Sequence, residues 1–295
     1  LVIALMSGGG SALLTAPAEG ITFEEKQEVN RQLLRCGADI GEMNTLRKHV
    51  SAIKGGRLAA AAHPARVLSI LISDVPGDDP AVIGSGPTVP DPTTFADAMR
   101  VVEKYGLKLP ASVMKHLEAA ESETPKPGDD IFDGNELIFA AKPDKSIAAA
   151  ADVARSAGFT VVDLGDRVEG EAGDVGRAHA EMALACKAGN GKAAAPCVIL
   201  SGGETTVTMT GNGRGGRNTE YLLGVAEKLD GADGIYAVAC DTDGVDGSED
   251  NAGAFVDPTT VARAAESGLS VTDALAGNDA YSLFENIGDL LVTGP

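Results

Sequence analysis

The chain has 295 residues and a formal net charge of −19, with 43 acidic side chains against 24 lysines and arginines. This charge argues against a general nucleic-acid-binding protein, which needs a basic surface. The chain contains no membrane-length apolar run and opens with no signal-peptide pattern, so we expect a soluble cytoplasmic protein. Hydrophobic residues make up 44% but aromatics only 4%, which fits small-residue helices on aliphatic strands and predicts the α/β class.

Strands and helices alternate in the first part of the chain. The runs "VIAL" and "VLSILIS" predict buried strands, and Thr22 with Glu25 forms a capping box that starts a helix. A polar segment with two prolines, Glu121–Gly134, then predicts a linker. We therefore expect two α/β domains, 1–125 and 126–295.

The second part repeats the alternation. Strands are predicted at "LIFAA", "TVVDLG", "CVIL" and "IYAVAC", and helices at Ser146–Ala157, near Glu171–Ala188 and from Asp257 to Gly268. Such alternation predicts mainly parallel sheets with helices on both faces. Ligands of these folds bind beyond the carboxyl ends of the strands.

A glycine-rich loop follows the first strand. Its backbone N–H groups can approach a phosphate or a carboxylate closely, although a tight strand-to-helix turn explains the glycines equally well. The candidate residues are Ser7, Gly8, Gly9, Gly10 and Ser11.

A basic stretch lies at Asn44–Arg57, and no acidic residue occurs from Met43 to Ser73. Keeping one stretch of a very acidic protein free of negative charge favours capture of an anion. A solvated basic helix face is the alternative. The candidates are Asn44, Arg47, Lys48 and Lys54.

The segment Ser73–Thr88 combines carboxylates with glycines. Asp74 and Asp78 are candidate Mg²⁺ ligands, whereas acidic loop caps are the plainer interpretation. Gly84, Ser85 and Gly86 are candidate phosphate ligands.

The segment "CDTDGVDG" places Asp241, Asp243 and Asp246 beyond a strand end. One aspartate could accept a substrate hydroxyl proton and another could hold a metal, with Asp241 as our candidate metal ligand. The EF-hand template fails at Val245, and an Asp-rich turn is the alternative.

The segment "TGNGRGGRNTEY" matches G-x-G-x-x-G, yet a dinucleotide site needs a buried parallel strand directly before it. The preceding "TTVTMT" predicts instead a half-exposed strand in an antiparallel hairpin. Arg214 and Arg217 at the next helix favour charged oxygens. The candidates here are Gly203, Glu204, Gly213, Arg214, Gly215, Gly216, Arg217 and Asn218.

Five stretches together resemble the glycerate 2-kinases of the MOFRL type, a family also often labelled hydroxypyruvate reductase. They are "SGGGSALL", "NTLRKHVSAIKGGRLA", "SDVPGDDPAVIGSGPT", "SGGETTVTMTGNGRGGRNTE" and "DTDGVDG", in the family's order. The resemblance implies ATP-dependent phosphorylation of D-glycerate at its 2-hydroxyl with Mg²⁺. It also implies a Rossmann-like first domain, a MOFRL-type second domain and an active site in the cleft between them.

The family's catalytic arginine falls on Arg217 and its catalytic aspartate on Asp243. Family members carry more chain at both ends, including a lysine considered catalytic, so we expect this chain to be truncated. Neither Lys48 nor Lys54 is expected to replace that lysine. The alternatives are an NAD(P)H-dependent hydroxypyruvate reductase and a non-catalytic binder of nucleotides or sugar acids. We expect glycerate and ATP as ligands, and we leave a homodimer open.

Overall fold

The computed structural model describes residues 1–7, 9–73, 75 and 77–294. It divides the chain into two compact units, Leu1–Pro143 and Asp144–Pro295. This division falls at 143/144, beyond the boundary predicted at 125/126. The reason is that the strand following the expected linker pairs with a strand of the first unit. Within the described residues, no helix has the length and apolar character needed to cross a membrane.

The first unit contains one parallel sheet. Its strands are β1 (Val2–Met6), β2 (Val67–Ile72) and β3 (Glu136–Ala141), in the order β1-β2-β3. Both pairings are parallel, with Val2 opposite Val67 and Leu68 opposite Glu136. The parallel arrangement predicted from the sequence is thus confirmed.

Helices pack against one another beside this sheet. They are α1 (Gly10–Leu13), α2 (Phe23–Cys36), α3 (Ile40–His49), α4 (Arg57–Ala62), α5 (Phe95–Tyr105) and α6 (Ala111–Ala119), with 3₁₀ turns at Ile83–Ser85 and Asp130–Phe132. The predicted capping box of Thr22 and Glu25 begins α2. Buried Val29, Leu33 and Leu46 join α2 and α3 in one apolar core.

The second unit contains three small sheets. Parallel pairs join β4 (Thr160–Asp163) to β6 (Cys197–Leu200) and β5 (Val168–Glu171) to β7 (Gly203–Thr206). An antiparallel sheet has the order β10-β9-β8, from β8 (Ala237–Cys240), β9 (Gly253–Val256) and β10 (Leu290–Leu291). The helices are α7 (Pro143–Ser156), α8 (Ala172–Lys187), α9 (Arg217–Leu229), α10 (Thr260–Glu266), α11 (Val271–Gly277) and α12 (Ala280–Ile287).

The predicted antiparallel hairpin around "TTVTMT" is wrong. The strand ends at Thr206 and runs parallel to β5. The following threonines bind other segments instead: the Thr208 N–H donates to the Glu171 carboxylate at 2.7 Å, and the Thr210 N–H donates to Asn278 Oδ1, also at 2.7 Å. Polar partners supplied by the fold therefore explain the alternating threonines.

Helix α9 lies at the centre of the second core. Leu222, Leu223 and Ala226 are buried on it, and α8 approaches it closely. A side chain at Gly224 would meet the Gly173 carbonyl oxygen of α8 at 2.2 Å. This dense packing fixes the axis of α9 and so fixes where Arg217, its first residue, begins.

Candidate active site

Arg217 lies at the first turn of α9 and reaches two carboxylates near strand ends. Its guanidinium forms an ion pair with Glu204 at the start of β7, and its Nη2 lies 3.6 Å from Asp241 Oδ2, just after β8. The side chain is 40% exposed, so solvent and ligands reach it. Exposed pairs of this kind contribute little to stability and can exchange partners.

Asp246 holds this region together. Its fully buried carboxylate accepts the N–H groups of Asn218 and Thr219 at 2.9 and 2.8 Å, and the Thr219 hydroxyl at 2.8 Å. It also accepts the Asn218 side-chain amide at 3.2 Å. A side chain at Gly216 would lie 2.3 Å from Asp246 Oδ1, which explains that glycine. Asp246 therefore caps α9, a role that its sequence neighbours did not reveal.

Asp241 is partly buried in the acidic loop, whereas Asp243 is exposed. Burial raises the pKa of Asp241, the charge of Asp243 raises it further, and Arg217 opposes both. Asp243 is exposed, and its Oδ1 accepts the Val245 N–H at 2.9 Å. This bond orients the carboxylate of Asp243 while leaving its other oxygen available to a ligand.

Arg214 has a different environment from Arg217. Its Nη2 and Nε lie 2.6 and 3.1 Å from Glu249 Oε2, and its guanidinium stacks on Tyr281 at 4.2 Å from the ring centroid. Its N–H donates to Asp279 at 3.0 Å. These contacts give Arg214 a structural role, so Arg217 is the better candidate for binding phosphate or carboxylate.

The glycine N–H groups of the G-x-G-x-x-G segment already have acceptors. Gly211 donates to Asn278 Oδ1 at 2.9 Å, Gly213 to the Gly277 carbonyl at 3.0 Å, and Gly216 to the Thr219 hydroxyl at 3.0 Å. A side chain at Gly213 would also meet the Asn278 carbonyl oxygen at 2.5 Å. The N–H groups of Gly213 and Gly216 are therefore less suited to bind phosphate than predicted, because packing and turn contacts use them.

The candidates Gly203, Gly215 and Asn218 also have structural explanations. A side chain at Gly203 would meet the Val168 carbonyl oxygen at 2.0 Å, so close strand pairing requires glycine there. Gly215 has a φ of 151°, a backbone conformation that favours glycine. Asn218 donates through both its backbone and its side chain to Asp246.

In the first unit, the glycine loop and the basic stretch come together at Lys54. This side chain is 1% exposed, and its Nζ donates to the Ser11 carbonyl and lies 3.4 Å from Ser85 Oγ. The Ser85 and Ser11 hydroxyls lie 3.3 Å apart. A side chain at Gly10 would lie 3.4 Å from the Gly84 Cα, so the two loops are in contact. The structure thus assembles several predicted anion ligands around one ammonium group.

Other candidates of the first unit have their own partners. Lys48 forms a buried ion pair with Asp91 at 3.3 Å, which gives it a structural role. Asp78 pairs with Lys142 at 2.7 Å, so it is less suited to hold Mg²⁺ than predicted. Asn44 is buried, and its Oδ1 has no hydrogen-bond partner among the described residues. Gly8 and Asp74 lie outside the described residues. The remaining candidates Ser7, Gly9 and Gly86 lie in the same two loops.

Lys26 is a buried cation that the sequence motifs missed. It is 3% exposed on α2, where it occupies the apolar stripe with Val29 and Leu33, and its Nζ lies 3.4 Å from the Ala16 carbonyl oxygen. Burial lowers its pKa to about 8. A lysine at core-facing helical spacing was the signal that could have identified it.

A magnesium ion fits the second unit if substrate phosphates complete its coordination. Among the described residues, no group of three or more histidines, cysteines and acidic residues is arranged to hold a metal. Mg²⁺ in kinase sites usually takes one or two carboxylates plus phosphates and water. Asp241 and Asp243 meet that requirement, because their charges interact and a cation would relieve the repulsion.

Two family models and several curated proteins match this chain. A model described as "Domain of unknown function (DUF4147)" matches residues 1–118, and the MOFRL family matches residues 197–295. The chain is 51% identical to an Agrobacterium vitis protein provisionally named a hydroxypyruvate reductase, over 100% of this chain and 67% of that protein. It is 39% identical to the D-glycerate 2-kinase of Thermotoga maritima, over 100% of this chain and 69% of the relative.

The solved structures agree with the sequence relatives. The crystal structure of the glycerate kinase from Thermotoga maritima matches with a TM-score of 0.88 at 38% identity, over 100% of this chain and 69% of that one. A Pyrococcus horikoshii structure matches with a TM-score of 0.79 at the same identity, over 100% of this chain and 68% of that one. The chain therefore belongs to the MOFRL-type glycerate kinase family, as its motifs predicted.

Proposed function

We propose that the protein is a glycerate 2-kinase, which transfers the γ-phosphoryl group of ATP to the 2-hydroxyl of D-glycerate with Mg²⁺. Its similarity to a D-glycerate 2-kinase over the whole chain supports the reaction class. The structural observation that carries the proposal is the position of Arg217. Its guanidinium at a helix start lies 3.6 Å from Asp241, the first of two aspartates beyond a strand end.

Arg217 would stabilise the transferring phosphoryl group or the carboxylate of glycerate. A guanidinium suits both, because it presents paired N–H donors to charged oxygens. In phosphoryl transfer, such an arginine acts by electrostatic stabilisation as charge redistributes over the phosphoryl oxygens. Its present partner Glu204 is exposed, so a ligand oxygen can replace it at small cost.

Asp243 would orient or deprotonate the 2-hydroxyl of glycerate. Its exposed carboxylate is held by one backbone N–H and keeps an oxygen available to the substrate. Asp241 would hold the metal together with the phosphates. When bound, Mg²⁺ supplies positive charge that neutralises the phosphate oxygens and orients them for transfer.

The reductase alternative requires a dinucleotide-binding site, and the glycine segment at 211–216 does not form one. Such a site needs open glycine N–H groups after a buried parallel strand. Here the N–H groups of Gly211, Gly213 and Gly216 all donate within the protein. This observation favours a kinase despite the reductase name given to one relative.

The position of transfer can be tested by product analysis. The purified protein would be incubated with D-glycerate and Mg-ATP, and the product identified by ³¹P NMR. The proposal predicts 2-phosphoglycerate, and none when EDTA removes the metal. A 3-phosphorylated product or no phosphorylated acid would contradict it. The cytoplasmic location and the homodimer stay predictions.

A further inference from the structure

Lys26 and Lys54 are buried lysines of the first unit that form no ion pair in the part of the chain that the structure describes, and Arg47 nearby forms none either. Lys26 and Lys54 are 3% and 1% exposed, and Arg47 is half-buried with its Nε donating to Asn30 Oδ1 at 3.1 Å. Lys48 shows how a buried lysine is usually stabilised, because Asp91 is its counter-ion. A buried charge without a counter-ion is costly, so two buried lysines without one require an explanation.

A chain of hydrogen bonds connects Lys26 to the backbone of Lys54. The Ala16 carbonyl oxygen accepts from Lys26 Nζ at 3.4 Å and from the Ser51 hydroxyl at 3.1 Å. The Ser51 Oγ in turn lies 3.3 Å from the Lys54 backbone nitrogen. The pKa of Lys54 is lowered to about 8, first by burial and then by the charges of Lys26 and Arg47. The positive charges of Lys26 and Arg47 therefore each act on Lys54.

The tip of Lys54 lies beside two serine hydroxyls. Ser85 Oγ is 3.4 Å from Lys54 Nζ and 3.3 Å from Ser11 Oγ. Ser85 is fully buried in the left-handed conformation, with a φ of 63°, and its carbonyl accepts the Gly55 N–H at 3.0 Å. The backbone thus holds this hydroxyl next to the ammonium group of Lys54. Hydroxyls and ammonium groups both donate hydrogen bonds to oxyanions.

We propose that Lys26, Arg47 and Lys54, with the hydroxyls of Ser11 and Ser85, form a binding site for a phosphate group. A phosphate dianion matches this set better than a carboxylate, because it brings more negative charge and more acceptor oxygens to three cations. This site differs from the sequence prediction in three ways. It adds Lys26, it leaves out Lys48 because of the ion pair with Asp91, and its ligand is a phosphate and not a carboxylate. The source of the phosphate, ATP or the phosphorylated acid, rests on the proposed function.

Direct binding of inorganic phosphate tests the site without requiring turnover. Isothermal titration of the purified protein would compare the wild type with Lys26→Met and Lys54→Met, which keep the side-chain length. Lys115→Met is the matched control, since it removes one positive charge from an exposed position on α6. We expect each buried substitution to weaken phosphate binding by about tenfold or more, because a charge-assisted hydrogen bond is lost. The control should bind phosphate as the wild type does.

Two further variants separate charge from packing and locate the phosphate. Lys26→Arg keeps the charge and should retain most of the affinity, whereas a packing role would weaken it as Lys26→Met does. Arg217→Met should leave one phosphate site intact. The proposal is overturned if wild type binds no phosphate, or if Lys26→Met and Lys54→Met bind it as well as Lys115→Met does.

The source of the phosphate is found by repeating the titrations with ADP and with 2-phosphoglycerate. Weaker binding of either ligand to Lys54→Met supports the site and identifies the source, and unchanged binding of both contradicts the site. Failure of the proposed function is seen separately. In that case phosphate still binds through Lys26 and Lys54 while glycerate and Mg-ATP release no ADP.

Discussion

The carboxylate of Asp246 accepts the backbone N–H of Thr219 at 2.8 Å and so caps α9 from a loop 27 residues further along the chain. The same loop carries Asp243, and the same helix begins with Arg217. One buried contact thereby sets the positions of both proposed catalytic residues.

Substitution of Asp246 should reduce stability. In Asp246→Asn an amide group would face N–H or O–H donors at one of the two oxygen positions, and one or more bonds to Asn218 and Thr219 would be lost. We expect a loss of about 1–3 kcal/mol in the free energy of unfolding, measured by urea denaturation. Asp243→Asn is the matched control, because Asp243 is exposed. Equal stability of the two variants would contradict the capping role.

Substitution of Asp243 should reduce catalysis without reducing stability. Asp243→Asn can keep the acceptor for Val245 N–H but removes the proposed base. Turnover should fall by about 10²-fold or more, with the unfolding midpoint unchanged. Steady-state kinetics with glycerate and Mg-ATP measures this. A rate within a few-fold of wild type would reject Asp243 as the base.

The two arginines of the loop should differ in their effects. Arg217→Gln removes the guanidinium beside Asp241 and should lower turnover by about 10³-fold or more, by analogy with transition-state arginines. Arg214→Gln breaks the contacts with Glu249 and Tyr281 but touches no proposed reacting atom. Its turnover should stay within a few-fold, with its loss appearing in thermal stability. Equal loss of turnover would reject the distinction between these arginines.

Stability should rise at alkaline pH because of the buried lysines. Lys26 and Lys54 have pKa values near 8 in the folded protein against an ordinary value of 10.5. Between these values the unfolded chain binds more protons, so the free energy of unfolding increases with pH, while below about pH 8 the full burial penalty remains. Denaturation without phosphate at pH 8, 9 and 10 measures this.

The control for this effect is a comparison of variants, because other groups also titrate in the same range. The double substitution Lys26→Met with Lys54→Met should reduce the rise, whereas Lys115→Met should retain it. Identical pH slopes in all three proteins would show that the two lysines do not titrate in this range.

The sequence predicted where helices begin better than it predicted which side chains contact one another. The capping box of Thr22 with Glu25 is local, so its geometry follows from short spacing and appears in the structure. The role of Arg214 depends on its contacts with Glu249 and Tyr281, which the fold brings together from distant segments. A local sequence pattern does not show whether such an arginine contacts the protein or a ligand.

The same limit explains the segments whose structure the sequence pattern did not predict. "GAFV" is four residues long, and its pairing with β8 and β10 makes it a strand. The segment around Glu121–Gly134 looked like a linker because it is polar, yet β3 beyond it joins β2. The glycines at 211 and 213 matched a dinucleotide pattern, although close backbone contacts with 277 and 278 require them. Tertiary contacts decided each case.

The most direct test of the central claim is a comparison of two assays on the same purified protein. One follows ADP release with D-glycerate and Mg-ATP, and the other follows NADH and NADPH oxidation with hydroxypyruvate. The account predicts glycerate-dependent ADP release that is abolished in Arg217→Gln, with no oxidation of either cofactor. Oxidation of NADH or NADPH with hydroxypyruvate, without ADP release, would contradict it.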